Sequence, residues 1–478
     1  MMQHAWSGYE TYAWGKDELN PVSLSGKLGV MGGMNGFRGM GASLVDAMST
    51  LHMMSLYEEF DHAKEWVSES MSISNATAQQ ISFFETTIRL LGGLLSAYDL
   101  SSDPALLDMA EELGDCIKGV FDGESTGIAT NKAQLPMTVA SSHGEERVMV
   151  AELGSNLIEF GALCARTGRE EFCLKAEMGL RFIHAKNPDQ FLLGETVSRR
   201  TGQTYGKMTI GAGADSYYEY LLKYWILTGK KDEHWRERWV NSVDEALDLL
   251  LVEVEMPGVD LWGNVSFIGS GARNSRPGMT VSHLGCFYPG SVALGVMSGA
   301  VTGEKAERYL GFAEDMMGAC LQLYNTTTGL GAESGRFQGG ELTHTGRRYL
   351  QRPEVVESLF YLWRATHDQI WRDMAWEIVQ AIDTWCRVDG GFAGIQDVMV
   401  SNPDQVAFDD VQQSWFLAET LKYLYLIFED DSKIDIAGHT EDTWVFNTEA
   451  HPVRAEPSSQ PQAISLSTSI RATSFFFT

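Results

Sequence analysis

The 478-residue sequence predicts an all-α protein, a toroid of paired helices, and two observations carry that prediction. Apolar residues recur at helical spacing through most of the chain, while long alternating strand patterns are scarce. The helical segments come in pairs joined by short polar loops such as Leu100–Pro104, Thr167–Arg169, Thr228–Lys230 and Thr366–Asp368. Short helix–helix connections make antiparallel neighbours. Helices are expected near 41–72, 80–98, 104–121, 150–166, 169–186, 213–228, 231–253, 288–300, 304–327, 352–366, 368–387 and 410–428.

The second member of a pair is the more plainly amphipathic, as in Trp371–Val379. The first is apolar on most sides, the mark of a buried helix. Yet these helices hold acids among their hydrophobics: Asp46, Glu85, Glu152, Asp215, Glu354 with Glu357, and Glu419. A buried carboxylate is costly unless partnered or functional. Such helices would line the inside of the toroid, with their acids converging at one end. The Gly/Ser/Thr/Asn-rich stretches 122–148, 255–280 and 329–350 are expected to be loops over that mouth. No interdomain linker is visible, so residues 1–452 are expected to form one domain and 453–478, rich in Ser, Pro and Gln, a disordered tail.

Composition narrows the function. With 36 Lys+Arg against 64 Asp+Glu the formal charge is −28, with no basic block, which disfavours nucleic acid and anionic membrane surfaces as partners. No apolar run is long enough to span a bilayer, so no membrane insertion is expected. The first residues show no signal peptide, leaving a cytosolic protein or a chain whose targeting segment is not visible. Sequons at Asn75, Asn264 and Asn325 favour the secretory route. The six cysteines form no C-x-x-C pair, against structural zinc.

Glu85 and Arg89 are an i, i+4 pair, ordinary on a solvated face but flanked here by Phe83, Phe84, Ile88, Leu90 and Leu91. Glu354 and Glu357 share a face beside Arg352, which suits either a site or a helix-start network. Asp215 and Glu219 lie among Tyr217, Tyr218 and Tyr220, a setting for a sugar face or for core packing. His283 beside Cys286 reads first as a core histidine. There is no H-E-x-x-H, G-x-S-x-G or P-loop, and 430–435 fails the EF-hand pattern because Ile436 stands where glycine is needed. Acids on apolar helices, abundant Trp and Tyr and no nucleophile motif point to glycoside hydrolysis by paired carboxylates.

Nine ordered stretches then resemble the class I α-1,2-mannosidases, glycoside hydrolase family 47. They are AWSGYETYAWGKDELNPVS (5–23), LVDAMSTLHMM (44–54), FFETTIRLLGGLLSAYDL (83–100), AELGSNLIEF (151–160), GAGADSYYEYLLK (211–223), HLGCFYPG (283–290), RPEVVESLFYLWRAT (352–366), SWFLAETLKYLYLIF (414–428) and VFNTEAHP (445–452). The resemblance implies an (α/α)7 barrel plugged at one end by a C-terminal β-hairpin, with the segment around 4–15 as partner of 410–428. It implies an inverting, Ca2+-dependent exo-α-1,2-mannosidase, expected to be monomeric and to act on high-mannose N-glycans in the secretory pathway or outside the cell.

By the same resemblance Glu85 is the general acid, acting through a water, Glu354 the base, and Asp215 and Glu333 further acids at the scissile bond. Arg89, Glu152, His283, Arg352, Glu357 and Glu419 surround the −1 sugar, and Trp415 stands where the family has a stacking Phe. Thr448 is the direct Ca2+ ligand, and Glu449 belongs to the carboxylate ring that holds the ion's waters. Cys286 and Cys320 match a family disulfide, which would stabilise by roughly 3–4 kcal/mol; the other four cysteines stay unassigned. Gly213, where endoplasmic-reticulum-type members have Arg, suggests an open +1 region of Golgi or secreted type. Three alternatives stand beside this reading: a lectin-like non-catalytic member, an unrelated α/α-barrel glycosidase or lyase, and a helical scaffold.

Overall fold

The computed structural model describes residues 1–29, 40–71, 79–135, 146–256, 263–436 and 442–457. Where the sequence reads as one helix over 41–72, the structure has two, Ala42–Met53 and Tyr57–Ser70. Ser55 adopts φ 61°, the Leu56 N–H reaches back to the Leu51 carbonyl, and the Ser55 N–H reaches that of His52. This is a Schellman stop closed by Ser instead of the usual Gly, so the sequence carries no glycine to announce it. The break supplies a helix pair that the long segment concealed.

Seven pairs result. The inner helices are Ala42–Met53, the Phe83–Ser101 region, Leu157–Thr167, Asp215–Leu227, Tyr288–Met297, Glu354–Thr366 and the Phe416–Leu426 region. Each packs on the next, and Ala42–Met53 packs on Phe416–Thr420 to close the ring. The outer partners are Tyr57–Ser70, Pro104–Ile117, Glu170–Lys186, Glu233–Leu250, Glu304–Leu321, Gln369–Trp385 and the N-terminal Met2–Tyr12. That last helix packs against Phe416–Thr420, as the resemblance implied.

Burial follows the two hydrophobic patterns. All of Tyr288–Met297 and every residue after Asp215 in Asp215–Leu227 are buried. Gln369–Trp385 buries only the stripe Trp371, Ala375, Ile378, Ala381 and Ile382. The short loops stop and restart the chain by capping. The side chains of Asp103, Asp232 and Asp368 accept the backbone N–H of Ala105, His234 and Ile370, and Pro104 opens its helix.

The stretches expected to be loops, 122–148, 255–280 and 329–350, and the 194–208 segment outside them are partly β-structure. Arg147–Met149, Gly194–Ser198 and Thr204–Met208 form one antiparallel sheet, and Thr280–Ser282, Ser334–Gln338 and Glu341–Gly346 another. Strands of three to six residues are too short for a visible alternation.

A final hairpin pairs Trp444–Phe446 with Pro452–Arg454, Val445 opposite Val453. Its turn enters the barrel: Lys422 Nζ donates to the Ala450 carbonyl, and His451 Nε2 lies 3.1 Å from Asp46 Oδ1. The strand runs past 452, and the Glu456 N–H donates to the Leu227 carbonyl at 2.8 Å. Of the expected tail, residues 458–478 lie outside the described residues, as does Asn75, while Asn264 and Asn325 are exposed.

Cys286 is bridged to Cys320, as the resemblance implied, and Cys164 to Cys173; Cys116 and Cys386 are free thiols. Among the described residues no helix is long and apolar enough to cross a membrane.

Candidate active site

The inner helices begin at the same end of the barrel, and four acids sit in first turns there, three on inner helices and Glu152 on the short helix that leads into Leu157–Thr167. Glu85 follows the cap Ser82, whose hydroxyl accepts the Glu85 N–H at 3.2 Å. Glu152 stands in the first turn of Val150–Gly154, its Oε2 accepting the Met149 N–H at 3.1 Å. Asp215 and Glu354 are the first residues of their helices. Helix N-termini favour negative charge, so the fold gathers carboxylates where they are best tolerated.

They face a cleft of about 380 Å³. Of the thirteen sequence-predicted site residues, ten line it: Glu85, Arg89, Glu152, Asp215, Arg352, Glu354, Trp415, Glu419, Thr448 and Glu449. His283, Glu333 and Glu357 stand behind these. Two of the inner helices are π-helical where they meet the cleft, at Thr86–Leu91 around Arg89 and at Phe416–Thr420 around Glu419. The wider turn is a departure from α-geometry often found at functional sites.

Arg89 is the central cation. Its Nε donates to Glu85 Oε2 at 2.8 Å, and its Nη1 reaches Glu449, Asp46 Oδ2 at 3.3 Å and Ser414 Oγ at 3.0 Å. On the opposite wall His283 Nδ1 donates to Glu354 Oε2 at 2.7 Å, with its Nε2 3.0 Å from the Tyr324 hydroxyl. The His283 N–H donates to the Glu333 carbonyl, and Arg352 Nε binds Glu333 Oε2 at 2.7 Å with Nη1 3.8 Å from Glu354 Oε1. Both guanidiniums flank Trp415, at 5.4 and 5.8 Å from its ring centre, and Trp415 Nε1 donates to the Leu350 carbonyl. That indole is held in place with a face toward the cleft residues.

The carboxyls differ in charge state. Burial pushes Glu354 up, but the His283 hydrogen bond and the Arg352 charge outweigh it and hold the carboxyl below its ordinary range. Asp215 goes the other way: burial, with the Glu219 and Glu354 charges, pushes it up to about 7 despite the Ser216 N–H. Glu357 is pushed up to about 8 by burial although Lys223 lies 3.6 Å away, and burial raises Glu419 and Glu449 as well. One carboxylate held ionised near one carboxyl able to keep a proton is the pattern of acid–base catalysis.

The donors of the cleft suit a cation. Thr448 lines the cleft with its N–H given to the Tyr220 hydroxyl at 3.2 Å, so a cation would meet its oxygens. The lining holds six carboxylates (Glu85, Glu152, Asp215, Glu354, Glu419, Glu449) against two guanidiniums, an oxygen-rich and negative surround. These residues fit a hard divalent ion. Among the described residues no three acids, imidazoles or thiols converge as direct ligands, so such an ion would take most of its oxygens from water and sugar hydroxyls.

The model of glycosyl hydrolase family 47 matches residues 1–455. The chain belongs to glycosyl hydrolase family 47. It is 39% identical over 95% of its length to a mannosyl-oligosaccharide alpha-1,2-mannosidase IA of Spodoptera frugiperda, and spans 65% of that protein. It is 36% identical over 95% of its length to the human mannosyl-oligosaccharide 1,2-alpha-mannosidase IB, spanning 68% of it. An alpha-1,2-mannosidase from Trichoderma reesei superposes with a TM-score of 0.84 at 28% identity, over 95% of this chain and 97% of that one. This agrees with an (α/α)7 barrel. A sugar epimerase from a ruminal bacterium, at 11% identity and a TM-score of 0.54, shares the fold alone.

The family 47 site also contains residues that reading the sequence left unassigned. Lys223 pairs with Glu219, and Lys422, buried, donates to Ser49 Oγ at 2.9 Å. Glu159, Tyr220 and Asn447 meet under the hairpin turn. The rule applied to acids, a charge inside an apolar helix, finds both lysines when applied to cations.

Proposed function

We propose that the chain is an inverting, Ca2+-dependent exo-α-1,2-mannosidase that removes terminal mannose from high-mannose N-glycans. The observation that carries this reading is the pairing of Glu354, held ionised by His283 and Arg352, with Asp215, pushed up to about 7, in one cleft beside a braced tryptophan. Family membership and the names of the relatives support the substrate.

In this mechanism Glu354 takes a proton from the water that attacks the anomeric carbon. A second carboxyl delivers a proton to the departing oxygen, directly or through a water. The resemblance gives that part to Glu85, held by Arg89 Nε at 2.8 Å, while Asp215, pushed up to about 7, is suited to hold a proton near neutrality. Inversion requires carboxyls far enough apart to admit the attacking water, about 6.5–9.5 Å. Trp415 stacks on the apolar face of the sugar. A Ca2+ ion at Thr448 would orient sugar hydroxyls and neutralise the surrounding acids. The two disulfides and the exposed Asn264 and Asn325 sequons support the secretory pathway or the cell exterior as the place of action.

The test is a time course on a defined high-mannose glycan, with EDTA and with Ca2+ restored, for the wild type and Glu354→Gln. Mannose released with inverted anomeric configuration, lost with EDTA and lowered about 10²–10⁴-fold in the variant, supports the reading. A wild type that binds the glycan without releasing mannose would establish the lectin-like alternative.

A further inference from the structure

Glu159 lies on the inner helix Leu157–Thr167, fully buried and away from the cleft lining. Its Oε1 accepts two hydrogen bonds, from the Tyr220 hydroxyl at 2.7 Å and from Asn447 Nδ2 at 2.8 Å. Its Oε2, equally buried, has no hydrogen-bond partner among the described residues. A buried carboxyl left half unsatisfied is costly, so the two bonds it does make need an explanation beyond packing.

Both bonds lead to the residues around Thr448. Tyr220 has one hydroxyl proton, given to Glu159, and the same oxygen accepts the Thr448 N–H at 3.2 Å. The proton's direction is therefore set by Glu159, which leaves the oxygen lone pair for Thr448. Asn447 Nδ2 also donates to the Ile88 carbonyl at 2.8 Å. Its Oδ1 accepts the Glu449 N–H at 3.0 Å and the His451 N–H at 2.8 Å. Glu159, Tyr220 and Asn447 together thus tie the turn before, at and after Thr448 to three inner helices.

We infer that Glu159 and Tyr220 are positioning residues that hold Thr448 in the orientation from which its oxygens meet a divalent cation. This rests on the Ca2+ reading above and deepens it. Neither side chain lines the cleft; both act through the peptide of Thr448. Groups that orient a ligand in this way commonly change metal affinity by 10–100-fold when removed.

The experiment is calorimetric titration of Ca2+ into the EDTA-stripped full chain, with thermal unfolding measured with and without the ion. Tyr220→Phe removes one hydroxyl and is expected to weaken Ca2+ binding by about 10–100-fold, so that its unfolding temperature falls further below wild type with Ca2+ than in EDTA. Glu159→Leu is expected to weaken it similarly. Glu159→Gln keeps an oxygen that accepts both bonds and is expected to stay within about threefold of wild type. Wild-type affinity in Tyr220→Phe, or an equal loss of thermal stability with and without Ca2+, would overturn the positioning role. Absence of any binding heat in the wild type overturns the Ca2+ reading and this inference with it. If Glu159→Leu does not fold, Tyr220→Phe decides.

Discussion

His283 Nδ1 and Glu354 Oε2 are 2.7 Å apart, and the Tyr324 hydroxyl holds the other ring nitrogen at 3.0 Å, so the imidazole has one orientation and serves as donor to the carboxylate. This hydrogen bond, with the Arg352 charge, overcomes the burial that would otherwise raise Glu354. Removing the donor in His283→Ala should raise the Glu354 carboxyl. If Glu354 is the base, the acid limb of kcat/KM then moves up by about one pH unit. An acid limb that stays in place in this variant would remove Glu354 from the role of base.

Arg89 joins Glu85 to Asp46 and Glu449 through one buried guanidinium. In Arg89→Met three acids lose their shared cation inside the barrel. Breaking a buried ion network by removing one partner costs about 3–5 kcal/mol. Urea unfolding should show that loss, with mannose release falling too because Glu85 and Glu449 are no longer held. A variant as stable as wild type would mean that the acids are neutral without Arg89.

Much of this was legible in the sequence, for a physical reason. A helix apolar on all sides must be inner, and an acid on it must be partnered or used, so Glu85, Asp215, Glu354 and Glu419 could be singled out from residue type alone. The break at Ser55 was not legible, because Ser takes a conformation there that Gly usually takes. Nor were the π-turns at Thr86–Leu91 and Phe416–Thr420, which local spacing does not encode. Glu159 and Asn447 escaped because their meaning lies in contacts across |i−j| of 288 residues. Thr448 came from resemblance, since a single threonine carries no metal-site pattern.

The stripped protein should be more stable in mild acid than at neutrality. Asp215, Glu159 and Glu357 have folded values of about 7, 7 and 8, above their unfolded ones. Each contributes stability that is complete below the unfolded value and lost as pH rises through the folded one. His451, lowered to about 4 by burial, opposes them, since its contribution is lost as pH falls from about 6.5 to 4. Burial lowers His184, His234 and His52 as well and raises Glu419 and Glu449; the five deeply buried carboxyls outweigh the imidazoles, two of which are only half-buried, and leave a net fall in stability between about pH 5 and 7. Unfolding temperatures in EDTA should decline across that window, and Ca2+ should recover more at pH 7 than at pH 5. A profile that rises with pH in EDTA would show that the carboxyls are ionised without the ion.

Gly213 bears on which branches are trimmed. It lines the cleft two residues before Asp215 at φ 91°, and its carbonyl accepts the Ala151 N–H at 3.0 Å. Among the described residues a Cβ there would meet only Met149 Sδ at 3.8 Å and Glu195 Cβ at 3.9 Å, so a side chain has room but not a favoured backbone. Gly213→Arg should therefore fold with a cost of about 1–3 kcal/mol for the left-handed conformation. The guanidinium would occupy the side of the cleft open to the leaving sugar, and its charge beside Asp215 would lower that carboxyl from about 7. The glycan time course should then give fewer trimmed isomers and a basic limb shifted to lower pH. If the variant yields the same isomers in the same order, the open space at Gly213 does not set branch choice, and the loops on the Gly194–Ser198 side of the mouth become the place to look.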